Sequence, residues 1–315
     1  MPFRATFACL WCGASHATRG PDDLEGWAQL CPDCVGKAGD NGFLRFRLHQ
    51  AIAERGASKR PATDGAKAAV ETAEQDQAAE PTTAVVAAGT DLDREMIEYY
   101  AARAPEYDDW YLRRGRYSHG PIHDAAWDAE LDAAGRWLDA LPMTGEIVEL
   151  AAGTGWWSPL LAAKGVVSLY DANEAPLARA RERLVAHGLR AHLHVRDAWA
   201  APDRPVDALF TGFWLSHVAP DRLDAFLTVA RSWLKPGGLY AFIDSLDDPQ
   251  SGTTDRTPPA NGLQRRRLAD GREFRVVKAY HDPETLAAAL VAADFDEVSV
   301  TSTGRFFRLG VGRAR

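Results

Sequence analysis

Glu146-Ile-Val-Glu-Leu-Ala-Ala-Gly-Thr-Gly155 is a short apolar run that breaks into two glycines one residue apart. Such a pair makes a tight strand-to-helix turn in which a ligand can approach bare backbone. A G-x-G turn alone is weak evidence, because a strand end can use glycines with no ligand present. Its weight comes from what stands around it. Further short apolar runs follow at 166–170, 192–195, 208–210 and 239–243, with helical spacing at 125–141, 175–187 and 221–234. Short buried-type strands alternating with helices predict an α/β fold, a Rossmann-like doubly wound sheet with helices on both faces. Ligands of such a sheet sit beyond the carboxyl ends of its strands.

Three strand ends carry suitable groups. The first is the Gly153–Gly155 turn. The second is Asp171, about twenty residues on, where a bidentate acceptor would hold a ribose diol. The third is Asp197-Ala198-Trp199, a carboxylate for an adenine amino group and an indole to stack beside it. A dinucleotide site wants G-x-G-x-x-G, with the helix N-terminus facing a pyrophosphate. Here Ser158 stands in the third place behind Trp156 and Trp157. That suits a ligand with a ribose and an adenine but no pyrophosphate. S-adenosylmethionine fits and NAD fits poorly.

With these residues in view, positions 95–315 resemble a class I S-adenosylmethionine-dependent methyltransferase. The resemblance runs through Glu149-Leu-Ala-Ala-Gly-Thr-Gly155, Asp171, Asp197-Ala198, Asp207-Ala-Leu-Phe210 and Leu234-Lys-Pro-Gly-Gly-Leu-Tyr-Ala-Phe-Ile-Asp244. It implies that the glycine turn lies under the methionine part, that Asp171 holds the ribose, and that Asp197 and Ala198 meet the adenine. The cofactor-binding set expected is Glu149, Ala151, Gly153, Gly155, Asp171, Ala172, Asp197, Ala198, Trp199 and Phe213. The aromatic segment 91–124 resembles the N-terminal lid of such enzymes, with Tyr107, Tyr111, Arg113, Tyr117 and His119 as candidate substrate contacts. For the arginines, a solvated lid face is an equal reading.

Methyl transfer is an in-line displacement, so positioning and desolvation supply much of the acceleration. An oxygen or nitrogen acceptor often also needs a base. Thr211-Gly-Phe213-Trp214-Leu-Ser-His217 follows the fourth strand, where substrate and methyl group should meet. Trp214 is a candidate substrate contact. His217 is the candidate base, since imidazole titrates near working pH; capping or packing a helix is the alternative. Residues 247–275 read as a long polar insertion, either a substrate cover or disordered. The cluster Arg265-Arg-Arg267 reads as surface.

The N-terminus is a different kind of sequence. Cys9-Leu-Trp-Cys12 and Cys31-Pro-Asp-Cys34 hold the chain's four cysteines. Two CxxC pairs at this spacing predict one tetrahedral zinc in a ribbon-like module, with Cys9, Cys12, Cys31 and Cys34 as ligands. A closed four-thiolate site leaves no position for an activated water, so the metal is structural. Trp11, Trp27 and Phe43-Leu-Arg-Phe-Arg-Leu48 offer a surface for a protein or RNA partner, or else the module's own small core. The module with a trailing helix spans 1–57. Between Ser58 and Thr90 there is no aromatic residue, Leu, Ile or Met, so 58–90 reads as a flexible tether.

Met1-Pro-Phe-Arg-Ala-Thr-Phe lacks a signal peptide's apolar core, and no apolar run is long enough to span a membrane, so a cytoplasmic, non-membrane enzyme is expected. The net charge of −8 disfavours a broad phosphate-binding face. The expected activity is methyl transfer to a small-molecule O- or N-nucleophile. One alternative is an rRNA or tRNA methyltransferase docked through the zinc module. Another is a cofactor-binding, non-catalytic interaction protein.

Overall fold

The computed structural model describes residues 6–8, 14–17, 31 and 91–315. In the N-terminal part, β1 (Thr6–Ala8) pairs antiparallel with β2 (Ser15–Ala17), Phe7 opposite His16. Of the four expected zinc ligands, Cys31 is described and buried. Cys9, Cys12 and Cys34 lie outside the described residues, as do most of the expected module and the whole 58–90 tether. Among the described residues, no helix is long and apolar enough to cross a membrane.

From residue 91 the chain opens with α1 (Asp91–Arg103), α2 (Asp108–Tyr111) and α3 (Pro121–Ala140). Gly120, at φ 96°, turns the chain into α3, and Pro121 takes its first position, where a missing N–H costs nothing. Strands and helices then alternate: β3 (Gly145–Leu150), α4 (Ser158–Ala162), β4 (Gly165–Asp171), α5 (Glu174–Ala186), β5 (His192–Val195), β6 (Val206–Gly212), α6 (Leu223–Ser232) and β7 (Leu234–Ser245). After β8 (Leu263–Arg267) and β9 (Glu273–Val277) come α7 (Pro283–Ala292), β10 (Phe295–Ser302) and β11 (Phe307–Ala314).

Seven strands form the main sheet in the order β5-β4-β3-β6-β7-β11-β10. β3 to β7 run parallel, and β11 lies antiparallel between β7 and β10. The doubly wound sheet expected from the sequence is therefore present, with the winding reversing between β3 and β6.

Both faces of the sheet are covered, which is why its strands read as continuous apolar runs. On one face Ile147, Leu169 and Phe210 pack with Trp127, Leu131 and Leu138 of α3 and with Trp156 and Leu161. On the other, Val148 and Leu150 pack with Leu223, Phe226, Leu227 and Ala230, the i, i+3, i+4, i+7 stripe of α6. Close packing reaches the backbone at Gly310 of β11. A Cβ there would fall 2.0 Å from Cζ of Phe242.

The segment expected to be a cover or disordered is ordered over 247–275. β8 and β9 pair antiparallel, and α1 packs on them through Met96, Tyr99, Leu268, Val276 and Val277. This small sub-assembly lies near the carboxyl ends of the central strands, where His217 bonds the carbonyl of Val277.

Candidate active site

At the point where the winding reverses, β3 and β6 both hand over to strained backbone. Ala151 (φ 51°) and Phe213 (φ 57°) adopt left-handed conformations that cost a residue bearing a Cβ on the order of 1–2 kcal/mol. Neighbouring bonds hold them there: Ala152 N–H donates to the Tyr170 carbonyl at 3.0 Å, and Phe213 N–H to that of Ile243 at 2.7 Å. Ala151 and Phe213 both line a cleft of about 540 Å³.

Gly153 also lines the cleft, with no atom within 4 Å of where a Cβ would lie. Its N–H donates to Asp171 Oδ2 at 2.9 Å, and Asn173 N–H donates to Oδ1 at 2.9 Å. Burial pushes the Asp171 carboxyl up to about 6 against these two amides, and the charge of Asp197 adds to the rise. Each carboxylate oxygen keeps a further lone pair for a ligand hydroxyl.

Asp197 Oδ1 accepts from the N–H of Trp199 at 2.7 Å. The Arg222 guanidinium covers the Trp199 ring at 4.2 Å and bonds both oxygens of Asp93 on α1, at 2.9 and 3.0 Å. The first helix is thereby tied to the wall that carries Ala172, Asp197, Ala198 and Trp199. Trp214, also on the cleft, keeps a buried Nε1–H with no partner among the described residues. A buried carboxylate with open lone pairs, bare backbone at Gly153 and an indole wall fit S-adenosylmethionine. The volume lies in the ordinary range for ligand sites, roughly 300–1,000 Å³.

Two residues expected in the cofactor set stand behind the wall. Glu149 is 1% exposed and accepts from Ser158 Oγ at 2.5 Å, and burial pushes its carboxyl up to about 8. Gly155 serves packing: a Cβ there would come within 2.6 Å of Ala180 Cβ on α5.

A smaller pocket of about 30 Å³ shares Tyr100, Tyr107, Phe213 and His217 with the cleft. A volume of that order suits a head group rather than a ring. His217 Nδ1 lies 2.6 Å from the Val277 carbonyl, which can only accept, so Nδ1 carries the proton. Nε2 then accepts from the Tyr100 hydroxyl at 2.7 Å. Burial, reinforced by the nearby Lys278, holds the His217 pKa well below the usual imidazole value.

The other candidate substrate contacts divide. Tyr107 and Trp214 line the cleft, whereas Tyr111, Arg113, Tyr117 and His119 line neither cavity. Tyr111 stacks on Trp156, centroids 4.0 Å apart, inside the core. Arg113 is buried beneath Trp127 and donates to the carbonyls of Ser251 (3.2 Å) and Gln250 (2.6 Å). His119 Nε2 lies 3.1 Å from the Gly252 carbonyl, and Tyr117 is buried. Arg113 and His119 fasten the 249–252 turn. A solvated lid face is therefore corrected for Arg113, which is 5% exposed.

Sequence reasoning missed the cations of the inner pocket: Arg103, Arg256, Arg266 and Lys278. Arg266 belongs to the cluster that reads as surface, yet it lines this pocket. The one local signal was Lys278, a charge directly after the apolar pair Val276-Val277.

A family model described as a methyltransferase domain matches residues 147–238. The ubiquinone/menaquinone biosynthesis C-methyltransferase UbiE of Proteus mirabilis is 31% identical over 184 residues, covering 53% of this chain and 72% of that protein. Two solved structures, a DhpI–SAH complex and a DhpI–SAM–HEP complex, are each 32% identical with a TM-score of 0.56. The matches cover 71% and 72% of this chain, and 97% and 99% of theirs.

Proposed function

This chain belongs to the class I S-adenosylmethionine-dependent methyltransferases, and from that premise we infer that its cleft holds the cofactor and its inner pocket receives part of a small-molecule acceptor. The observation that carries the reading is the Gly153–Asp171 unit, a backbone amide and a carboxylate joined at the ends of adjacent strands on one 540 Å³ cleft. When bound, S-adenosylmethionine supplies a methyl carbon made electrophilic by its sulfonium sulfur.

The residues divide the remaining work. Asp171 accepts from the ribose hydroxyls, Asp197 accepts from the adenine amino group, and Ala172, Ala198 and Trp199 supply its apolar bed. Tyr107 and Phe213, common to both cavities, exclude water where the acceptor meets the methyl group; displacement between two oriented partners gains most from such positioning. The Tyr100 hydroxyl faces the acceptor and His217 stands behind it, so the candidate base acts through Tyr100.

The UbiE relatives act in ubiquinone and menaquinone biosynthesis, which supports a small-molecule acceptor. An RNA substrate would want one continuous basic track. Instead Arg116 pairs with Asp255, Arg265 with Glu273, and Arg113 turns inward. For the N-terminus we retain the reading of Cys9, Cys12, Cys31 and Cys34 as a structural zinc ribbon in a module separate from the transfer site. Metal analysis of the purified full-length protein, wild type against Cys31→Ser, tests it.

The function is tested with full-length protein and methyl-labelled cofactor. Saturable cofactor binding, followed by label transfer to one member of a panel of small acceptors, is expected. No saturable binding of S-adenosylmethionine or S-adenosylhomocysteine would sink the reading.

A further inference from the structure

The inner pocket is lined by four basic side chains, Arg103, Arg256, Arg266 and Lys278, and by no carboxylate. Two of the four are already engaged. Arg256 bonds Asp247 at 2.8 Å, and Lys278 donates to Ser216 Oγ at 2.7 Å with the Asp244 charge nearby. Arg103 and Arg266 are not. Neither has an ion pair among the described residues, and each has a buried Nε without a hydrogen-bond partner.

Arg103 is 5% exposed. Its guanidinium lies 4.5 Å from the ring centre of Tyr107 and 5.7 Å from those of Tyr99 and Tyr117. Cation–π contacts return only part of what it costs to bury an unpaired ion. The aromatic faces alone leave that charge under-compensated. Guanidinium groups match planar and tetrahedral oxyanions in bidentate fashion, and the pocket's volume suits such a head group.

We propose that the inner pocket takes the acid head group of the acceptor, a carboxylate or phosphate-type oxyanion recognised by Arg103 and Arg266, with the rest of the molecule directed into the cleft. This rests on the reading of the cleft as the cofactor site, and it adds the chemical class of the acceptor.

The test is calorimetric titration of the full-length protein, with and without saturating S-adenosylhomocysteine, at fixed ionic strength. Inorganic phosphate, acetate and chloride are the probes. Saturable binding of phosphate or acetate, but not chloride, is expected; whichever oxyanion binds identifies the head group. Arg266→Gln and Arg103→Lys should each weaken it by about tenfold or more, the loss of a charged hydrogen bond, with S-adenosylhomocysteine affinity retained.

Thermal unfolding checks that both variants are folded. Should Arg103→Lys fail that check, the partly exposed Arg266→Gln decides. The proposal is overturned if neither oxyanion binds, if chloride binds equally, or if the folded variants bind as wild type does. Oxyanion binding without S-adenosylhomocysteine binding would instead strike down the cofactor reading, and with it the assignment of the bound oxyanion to a methyl acceptor.

Discussion

The hydroxyl of Tyr100 and Nε2 of His217 share a 2.7 Å hydrogen bond across 117 residues of sequence, at the junction of the cleft and the inner pocket. The Val277 carbonyl fixes the proton on Nδ1, so the pair is a phenol donating to a neutral imidazole. The partners come from α1 and from the turn after β6, so the bond closes the N-terminal segment onto the sheet.

Tyr100→Phe leaves Nε2 unsatisfied in a buried site, at about 1–3 kcal/mol. Turnover is expected to fall roughly tenfold or more while the cofactor dissociation constant stays within a few-fold. Because the His217 pKa is lowered, the ring remains neutral below pH 6.5. Wild-type kcat should therefore show no acid limb near 6.5 from this residue. Folding stability should decline as pH falls below 6.5, since the unfolded ring takes up a proton that the folded ring refuses. An acid limb near 6.5 that disappears in His217→Asn would show that the ring titrates freely.

Asp171→Ala removes the carboxylate that binds the Gly153 amide and is offered to a ribose diol. Two hydrogen bonds to a charged acceptor, at about 1.5–3 kcal/mol each, set the expected loss at roughly a hundredfold or more in S-adenosylmethionine affinity. With its carboxyl pushed up to about 6, Asp171 gains a proton just below neutrality. Wild-type affinity should thus weaken between pH 7.5 and 5.5. Calorimetry at both pH values checks this, and wild-type-like binding by the variant removes Asp171 from the site.

Arg113→Met tests a structural role against a substrate-binding one. Its guanidinium satisfies the buried carbonyls of Gln250 and Ser251, and Trp110 Nε1 also donates to Ser251. Loss of those bonds should lower stability by about 2–4 kcal/mol, read as a shifted urea midpoint. KM for the acceptor should be unchanged at temperatures where the variant is folded. A raised KM with normal stability would put Arg113 back among the substrate contacts.

These variants mark where the sequence was legible. The Gly153 turn, Asp171 and Asp197 follow from local pattern, because each sits at a strand end that apolar periodicity locates. The doubly wound order is also local information, repeated strand by strand. Arg266 and Lys278 were opaque because their role depends on a hairpin that packs on α1 through Met96 and Tyr99, contacts between segments about 180 residues apart. Glu149 and Gly155 matched the motif, yet residue type cannot tell a group facing a ligand from one packed behind the wall. Tyr111 and Tyr117 looked like lid aromatics until the core claimed them.

Glu149 supplies the last prediction, because its proton is set by burial. The carboxyl is pushed from 4.5 up to about 8, first by desolvation; Ser158 opposes the shift and the Asp171 charge adds to it. A raised acid pKa means that the folded protein keeps a proton which the unfolded chain releases above pH 4.5. This contribution to stability is full below 4.5 and is lost as pH rises towards 8. Lys278, pushed down to about 7, works the other way between about 7 and its unfolded value of 10.5, so wild type alone would blur the effect. Glu149→Gln isolates it. The amide oxygen can still accept from Ser158 Oγ, and the group no longer titrates. Relative to wild type, the variant should gain stability between pH 5 and pH 8, by up to about 4 kcal/mol at 1.36 kcal/mol per unit. Urea unfolding at the two pH values measures the difference. A wild-type-to-variant gap that does not change with pH would mean that Glu149 is ionised beneath the glycine turn.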